Sequence, residues 1–353
     1  MKFKTISFDR GKLKLLDQNA LPLRQKYVIC RGEKEVFAAI KDMTVRGAPL
    51  IGITAAFGVV LSALNAGEKD RRKFLNKIYR SIDMLKKARP TAVNLFWALE
   101  RMKSVLNSNL QSAPADIKQK LIFEAERILK EDEEICLRIG RNGAALIRDG
   151  DSILVHCNAG ALATGGIGTA LGIIYCAKSE GKKFTIHADE TRPRLQGARL
   201  TCWELGKEGL DPILNCDTTA AVLMREGRVK KIFVGADRVA LNGDTANKIG
   251  TYNLAVLAHY HKVPFYVAAP VSTIDFKIKS GREIPIEERD KNEVVKLTGK
   301  FVAPKNVKVY SPAFDVTPNE LITAIITEKG IIKPPFATKI KNQKAKCDGE
   351  MSC

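Results

Sequence analysis

From residue 152 onward, short apolar runs recur, most closing on polar side chains and most leading into a helical stretch. SILVHC (152–157) runs through glycines into GTALGIIYCAKSEG, KFTIHAD (183–189) into LQGARLTCWELGKEG, and KKIFVGAD (230–237) into NKIGTYNLAVLAHYHKV. VPFYVAAP (263–270) is a fourth run, and VKVYSPAFD (307–315) reads as a fifth. Runs too apolar to have a wet face belong to parallel strands covered on both sides. Their alternation with helices of about 12 residues argues for right-handed βαβ units. This predicts an α/β fold whose C-terminal part is a Rossmann-like parallel-sheet domain.

The first part of the chain has a different period. Residues 1–30 alternate weakly and carry turn signals at Asp9-Arg10-Gly11 and Asn19, which suits short antiparallel strands. From about 34 to 148 the spacing is helical, as in EKEVFAAIKDM, and LIFEAERILKEDEEICLRIGRNGAALI reads as one long amphipathic helix or two. A chain of 353 residues, 45% hydrophobic, is long enough for two domains. The expected division is an N-terminal sheet-and-helix domain over 1–148, a Rossmann-like catalytic domain over 149–335, and a frayed, disordered basic tail over 336–353.

Several function classes are excluded at this level. No window approaches the roughly 20 apolar residues of a membrane-spanning helix. The opening MKFKTISFDRGKLKLL lacks an apolar core of signal-peptide length, so a cytoplasmic protein without membrane contact is expected. The eight cysteines, at 30, 136, 157, 176, 202, 216, 347 and 353, include no C-x-x-C pair, which removes the usual zinc spacing. Most read as small buried apolar residues in a reducing compartment. A net charge of +19 favours anionic ligands. Much of it is scattered, as in KDRRKFLNKIYR (69–80), and no aromatic-interleaved platform accompanies it, so no specific nucleic-acid partner is expected.

In an open α/β sheet, ligands bind beyond the carboxyl ends of the strands. The candidates are therefore His156, Cys157 and Asn158; Asp189, Glu190 and Arg192; Asp237 and Arg238; and Ser272, Thr273 and Asp275. In HCNAGALATGGIGTALG (156–172), Gly160, Gly165, Gly166 and Gly168 allow close backbone approach just before a helix whose free N–H groups favour an anion. The glycine spacing does not match a dinucleotide fingerprint, so no nucleotide cofactor is expected. The helix dipole and positive field would lower the pKa of Cys157 and favour its thiolate, against the plain reading of an inert buried cysteine. Asp237 closes an apolar run, where desolvation would raise its pKa toward that of a general acid; the plain reading is a turn cap or a pair with Arg238. Asn247 and Lys248 add donors at the next helix start. In TVRGAPLIG (44–52), Gly47 allows close approach, Pro49 suits a first helical turn, and Arg46 suits bidentate phosphate binding; ARPTAVNLFWAL (88–99) repeats the pattern, with Arg89 before a Pro and a helix.

TVRGAPLIG, RPTAVNLFWAL, VHCNAGALATGGIGTALG, ADETRPRLQGARLTCWEL, VGADRVALNGDTANKIGTYNLAVLAHYHKVPFYVAAPVSTID and SPAFDVTPNELITAIITEKG together resemble the methylthioribose-1-phosphate isomerase family of methionine salvage. The resemblance covers about residues 1–333. It implies a homodimer in which Cys157 and Asp237 are the catalytic pair and Arg46, Gly47, Ala48, Arg89, Gln196, Asn247 and Lys248 contact the substrate, a small-molecule sugar phosphate. It implies conversion of 5-methylthioribose 1-phosphate to 5-methylthioribulose 1-phosphate, either by proton transfer or by a hydride shift from C2 to C1. Neither route needs a metal or cofactor.

The superfamily also holds ribose-1,5-bisphosphate isomerases and regulatory subunits of a eukaryotic translation-initiation exchange factor. The alternatives are therefore isomerisation of a related sugar phosphate, ribose 1,5-bisphosphate or a 5-deoxyribose 1-phosphate, or a non-catalytic binding subunit. The intact Cys157 and Asp237 argue for the catalytic branch.

Overall fold

The computed structural model describes residues 1–350 except 68 and 91, with side chains as far as 343. The chain divides into two compact units: residues 1–137 with 160–168, and residues 138–159 with the chain from 169 onward. Residues 138–148, which the helical period assigned to the N-terminal part, cluster with the second unit, and the glycine-rich 160–168 clusters with the first.

The first unit opens with the expected antiparallel strands, β1 (Ile6–Asp9), β2 (Lys12–Leu16) and β3 (Tyr27–Cys30), in the order β1-β2-β3. Arg10 and Gly11 both have positive φ (47° and 72°), the two-residue turn whose twist matches a hairpin. Leu13 and Leu15 are buried while Lys12 and Lys14 are exposed, the period-2 pattern of a sheet with one wet face. Four helices follow: α1 (Glu33–Lys41), α2 (Ala48–Leu64), α3 (Arg71–Lys86) and α4 (Val93–Asn107). APLIGITAAFGVVLSAL has no polar face, so α2 is buried along almost its whole length, packed by the other three. The long amphipathic stretch is a single helix, α5 (Pro114–Ala144), counted with the first unit as far as Leu137.

In the second unit the first three apolar runs form strands β4 (Ser152–Val155), β5 (Thr185–Asp189) and β7 (Lys231–Val234), with β6 (Pro212–Asn215) between the last two, joined by helices α6 (Ala170–Ser179), α7 (Cys202–Lys207) and α8 (Ala220–Arg225). Beyond β7, the chain makes β8 (Arg238–Ala240), β9 (Thr245–Lys248), α9 (Thr251–Tyr260) and β10 (Phe265–Ala268). Next come β11 (Ile274–Asp275), α10 (Asn292–Val295), the hairpin β12 (Lys296–Leu297) and β13 (Lys300–Phe301), and β14 (Phe314–Thr317). The last elements are β15 (Ala324–Thr327), β16 (Gly330–Ile332) and α11 (Phe336–Glu350).

The main sheet has the order β16-β15-β10-β7-β4-β5-β6, all neighbours parallel except the antiparallel edge strand β16. In chain order its six parallel strands run 3-2-1-4-5-6 across the sheet, the doubly wound Rossmann arrangement. A second sheet, β11-β8-β9-β14, was not anticipated.

The structure corrects three details. The run at 307–315 is not a parallel strand: Val307 and Tyr310 are exposed, only Phe314–Thr317 pairs, and it joins the small sheet antiparallel to β9. The sixth parallel strand is β15, and β6, with Ile213 and Leu214 exposed at the sheet edge, had no apolar run to announce it. The tail is helical from 336 to 350, because Phe336 and Ile340, one turn apart, are buried in the second unit's core; residues 351–353 lie outside the described residues.

Candidate functional site

The strand order reverses between β4 and β7, and ligands of open α/β sheets sit outside the carboxyl ends of such a pair. Val155, the last residue of β4, is paired with Phe233, so β7 ends one residue further along, and the two strands lie about 4.8 Å apart across the ladder. Cys157 lies two residues beyond β4 and Asp237 three beyond β7. The structure thus brings the predicted thiol and carboxyl to neighbouring strand ends, and both are half-buried. Gly235 makes this exit feasible, because a Cβ there would press on the Ala159 side chain. Arg238 pairs with Asp275 at 3.5 Å.

Of the other predicted residues of this unit, Asn247 and Lys248 also stand at a strand end, and Gln196 precedes the π-helical turn Gly197–Thr201. Asn247 and Lys248 close β9 rather than opening the helix, held by the antiparallel partner β14 (Asn247 opposite Asp315). Asn247 is buried and donates its Nδ2 to Thr251 Oγ1 at 3.1 Å. Lys248 Nζ donates to the Ala313 carbonyl at 3.0 Å and stands 4.5 Å over the Phe314 ring. Gln196 is buried with its Oε1 lacking any hydrogen-bond partner. A buried acceptor without a donor is uncommon and suits a ligand hydroxyl.

Cys157 itself has φ +62°, the left-handed region that costs a residue with a Cβ about 1–3 kcal/mol. Its neighbour His156 is fully buried, with Nδ1 3.1 Å from Asp189 Oδ2 and Nε2 2.9 Å from the Ile249 carbonyl. A carbonyl only accepts, so Nε2 carries a proton, and the remaining bond to Asp189 needs one further proton on either ring or carboxyl. Burial works to lower the His156 pKa, but the Asp189 hydrogen bond and charge outweigh it and the net direction is up. Burial pushes the Asp189 carboxyl up to about 6 against the opposing pull of His156. The pair ties β4 to β5 immediately beneath the cysteine.

His156, Asp189 and Asp217 also bring potential metal-ligand atoms within 4.8 Å of one another. Asp217, however, accepts the N–H groups of Thr191 (2.7 Å) and Arg192 (2.8 Å), and the His156 nitrogens are engaged as above. The cluster is a hydrogen-bonded scaffold. Thr191, Thr201 and Asp217 were absent from the sequence candidates; Thr191 and Thr201 lie inside ADETRPRLQGARLTCWEL, whose specificity was the signal available for those two.

The remaining predicted residues belong to the first unit. Arg46 is half-buried and donates its Nε to Gln18 Oε1 at 3.0 Å. Gly47 has φ +96° and backs onto Ala163, where any Cβ would overlap the main chain; Ala48 begins α2. Arg89 is half-buried in the connection between α3 and α4. In the glycine-rich loop, Gly165 N–H donates to Asp132 Oδ2 at 2.6 Å, and Gln18 Nε2 donates to the Leu162 carbonyl at 2.6 Å. At the start of α6, the Thr169 and Leu171 N–H groups both go to the Ala159 carbonyl, so fewer donors are left for an anion than the sequence suggested.

The model of the Initiation factor 2 subunit family matches residues 44–334. Methylthioribose-1-phosphate isomerase of Caldicellulosiruptor saccharolyticus is 53% identical over 343 residues, covering 97% of this chain and all of that protein. Among solved structures, 5-methylthioribose 1-phosphate isomerase from Pyrococcus horikoshii OT3 superposes with a TM-score of 0.92 at 45% identity, covering 96% of this chain and 95% of that one. The translation initiation factor eIF-2B subunit delta from A. fulgidus gives a TM-score of 0.86 at 42% identity, covering 96% and 99%.

Proposed function

The chain belongs to the methylthioribose-1-phosphate isomerases within the initiation factor 2 subunit family, and from that membership we propose that it converts 5-methylthioribose 1-phosphate to 5-methylthioribulose 1-phosphate in methionine salvage. The observation that carries the reading is a thiol and a carboxyl at neighbouring strand ends, at the sheet's reversal point, in a chain so close to an isomerase along its whole length.

A sugar phosphorylated on C1 cannot open its ring as a free hemiacetal does, so the ring oxygen must be protonated as the C1–O bond breaks. Asp237 supplies that proton. Cys157, as thiolate, removes the proton from C2, and the electron pair of that C–H bond forms the enol C1–C2 double bond. The thiol then returns the proton to C1 while the C2 hydroxyl gives its own proton to the Asp237 carboxylate. C2 becomes the ketone, and both side chains regain their starting states. General acid–base help of this kind contributes about 10²–10⁴-fold per group. Gln196, Asn247 and Lys248 are proposed to hold the sugar, the orphan Gln196 oxygen accepting from a hydroxyl. Arg46, Gly47, Ala48 and Arg89 are retained as proposed substrate-binding residues on the strength of the resemblance.

The likeness to an initiation-factor subunit favours a second reading, a binding subunit without turnover. One assay separates the readings. Purified protein given methylthioribose 1-phosphate, without nucleotide or added metal, should produce the ketose phosphate faster than it isomerises ribose 1,5-bisphosphate or 5-deoxyribose 1-phosphate. Binding without conversion of any of the three would favour the subunit reading. We further propose a cytoplasmic homodimer, as the resemblance implies.

A further inference from the structure

Left-handed backbone at a residue bearing a Cβ persists only where its surroundings over-determine it. At Cys157 two side-chain hydroxyls do this. The Cys157 N–H donates to Thr191 Oγ1 at 2.8 Å, and the Cys157 carbonyl accepts from Thr201 Oγ1 at 2.6 Å. The proton assignments are fixed by chemistry, since an amide N–H only donates and a carbonyl only accepts. The single hydroxyl proton of Thr191 goes to the Asp189 carbonyl at 3.0 Å, leaving its lone pairs for the Cys157 N–H. The proton of Thr201 goes to Cys157, and its oxygen accepts from Asn158 Nδ2 at 3.1 Å.

Each hydroxyl is itself held in place. Thr191 and Thr201 are both fully buried. Thr191 also has positive φ (+65°), an outlier for a β-branched residue, and its N–H is anchored on Asp217 at 2.7 Å. Thr201 ends the π-helical turn Gly197–Thr201, a widened turn frequent at functional sites. A Cβ at Gly197 would overlap the Asp189 carbonyl, the same group that receives the Thr191 hydroxyl, so the turn can seat only on a glycine. The ADETRP and QGARLT segments thus converge on the two peptide units that flank one residue, Cys157.

We propose that Thr191 and Thr201 are positioning residues that clamp the backbone of Cys157 from both sides and so aim its thiol at the reacting carbon. The proposal rests on the reading of Cys157 as the group that moves the C2 proton. A clamp of this kind acts on chemistry rather than affinity, because a displacement of about 1 Å at a reacting group costs about 10²-fold in rate.

Thr191→Val and Thr201→Val keep the branched shape and remove the hydroxyl; either suffices if the other fails to fold. Each should lower kcat by about 10²-fold with KM within about twofold of the parent, and should shift the pH profile of Cys157 alkylation by iodoacetamide, read by peptide mass. Thr191→Ser and Thr201→Ser, which restore the hydroxyl, should recover kcat to within about threefold. Valine variants with parental kcat and an unshifted alkylation profile, or serine variants no better than valine, would overturn the clamp. Cys157→Ala distinguishes the two levels. If it is inactive while the valine variants are fully active, only the clamp falls; if it turns over normally, the reading of Cys157 falls and the clamp with it.

Discussion

Desolvation decides the state of most buried ionisable side chains in this chain. It pushes the Cys30 and Cys202 thiols up to about 11 and Cys136 well above its ordinary value, so these cysteines are inert packing. The same force acts on Asp132, buried on α5 in the first unit, and raises its carboxyl to about 6 although the Gly165 and Gly166 N–H groups pull it down. Because this pKa lies above that of an unfolded Asp, near 3.9, the folded state holds the proton more tightly, and stability is lost as pH rises from about 4 to about 6. The loss amounts to about 3 kcal/mol by pH 7. Asp132→Asn keeps an acceptor for Gly165 and carries no charge. Denaturant unfolding at a series of pH values should therefore show this variant gaining on the parent by about 2–3 kcal/mol over that window. A difference independent of pH would refute the assignment.

Elements were legible where local period and turn chemistry agreed. The Arg10-Gly11 hairpin, the all-apolar α2, the strands β4, β5, β7 and β10, and the helical period of α5 could all be read from spacing, though not that α5 runs unbroken. The small β11-β8-β9-β14 sheet could not, because its strands have two to four residues and depend on partners distant in the chain. β6 escaped for a similar reason, opening on a proline and leaving apolar side chains exposed at the sheet edge. The candidate site divides in the same way. Cys157 and Asp237 follow from the strand-end rule, which uses only local pattern. Thr191, Thr201 and the His156–Asp189 pair do not, because their roles come from hydrogen bonds linking residues 33 to 44 positions apart.

For the whole molecule, a net charge of +19 suits an enzyme for anionic substrates and matches no basic recognition element. No helix among the described residues is long and apolar enough to cross a membrane. Tyr252, Val256 and Tyr260 lie one turn apart along α9 and are exposed, an apolar stripe that supports the proposed homodimer. Sedimentation equilibrium at micromolar concentration should return a dimer, and a monomer would contradict that proposal.

The central claim, that the sheet's reversal point carries the chemistry, is tested most directly by steady-state turnover and substrate binding of Cys157→Ser and Asp237→Asn on methylthioribose 1-phosphate. Each variant should lose about 10²–10⁴-fold in kcat while binding substrate as the parent does. Near-parental turnover in either would contradict the account.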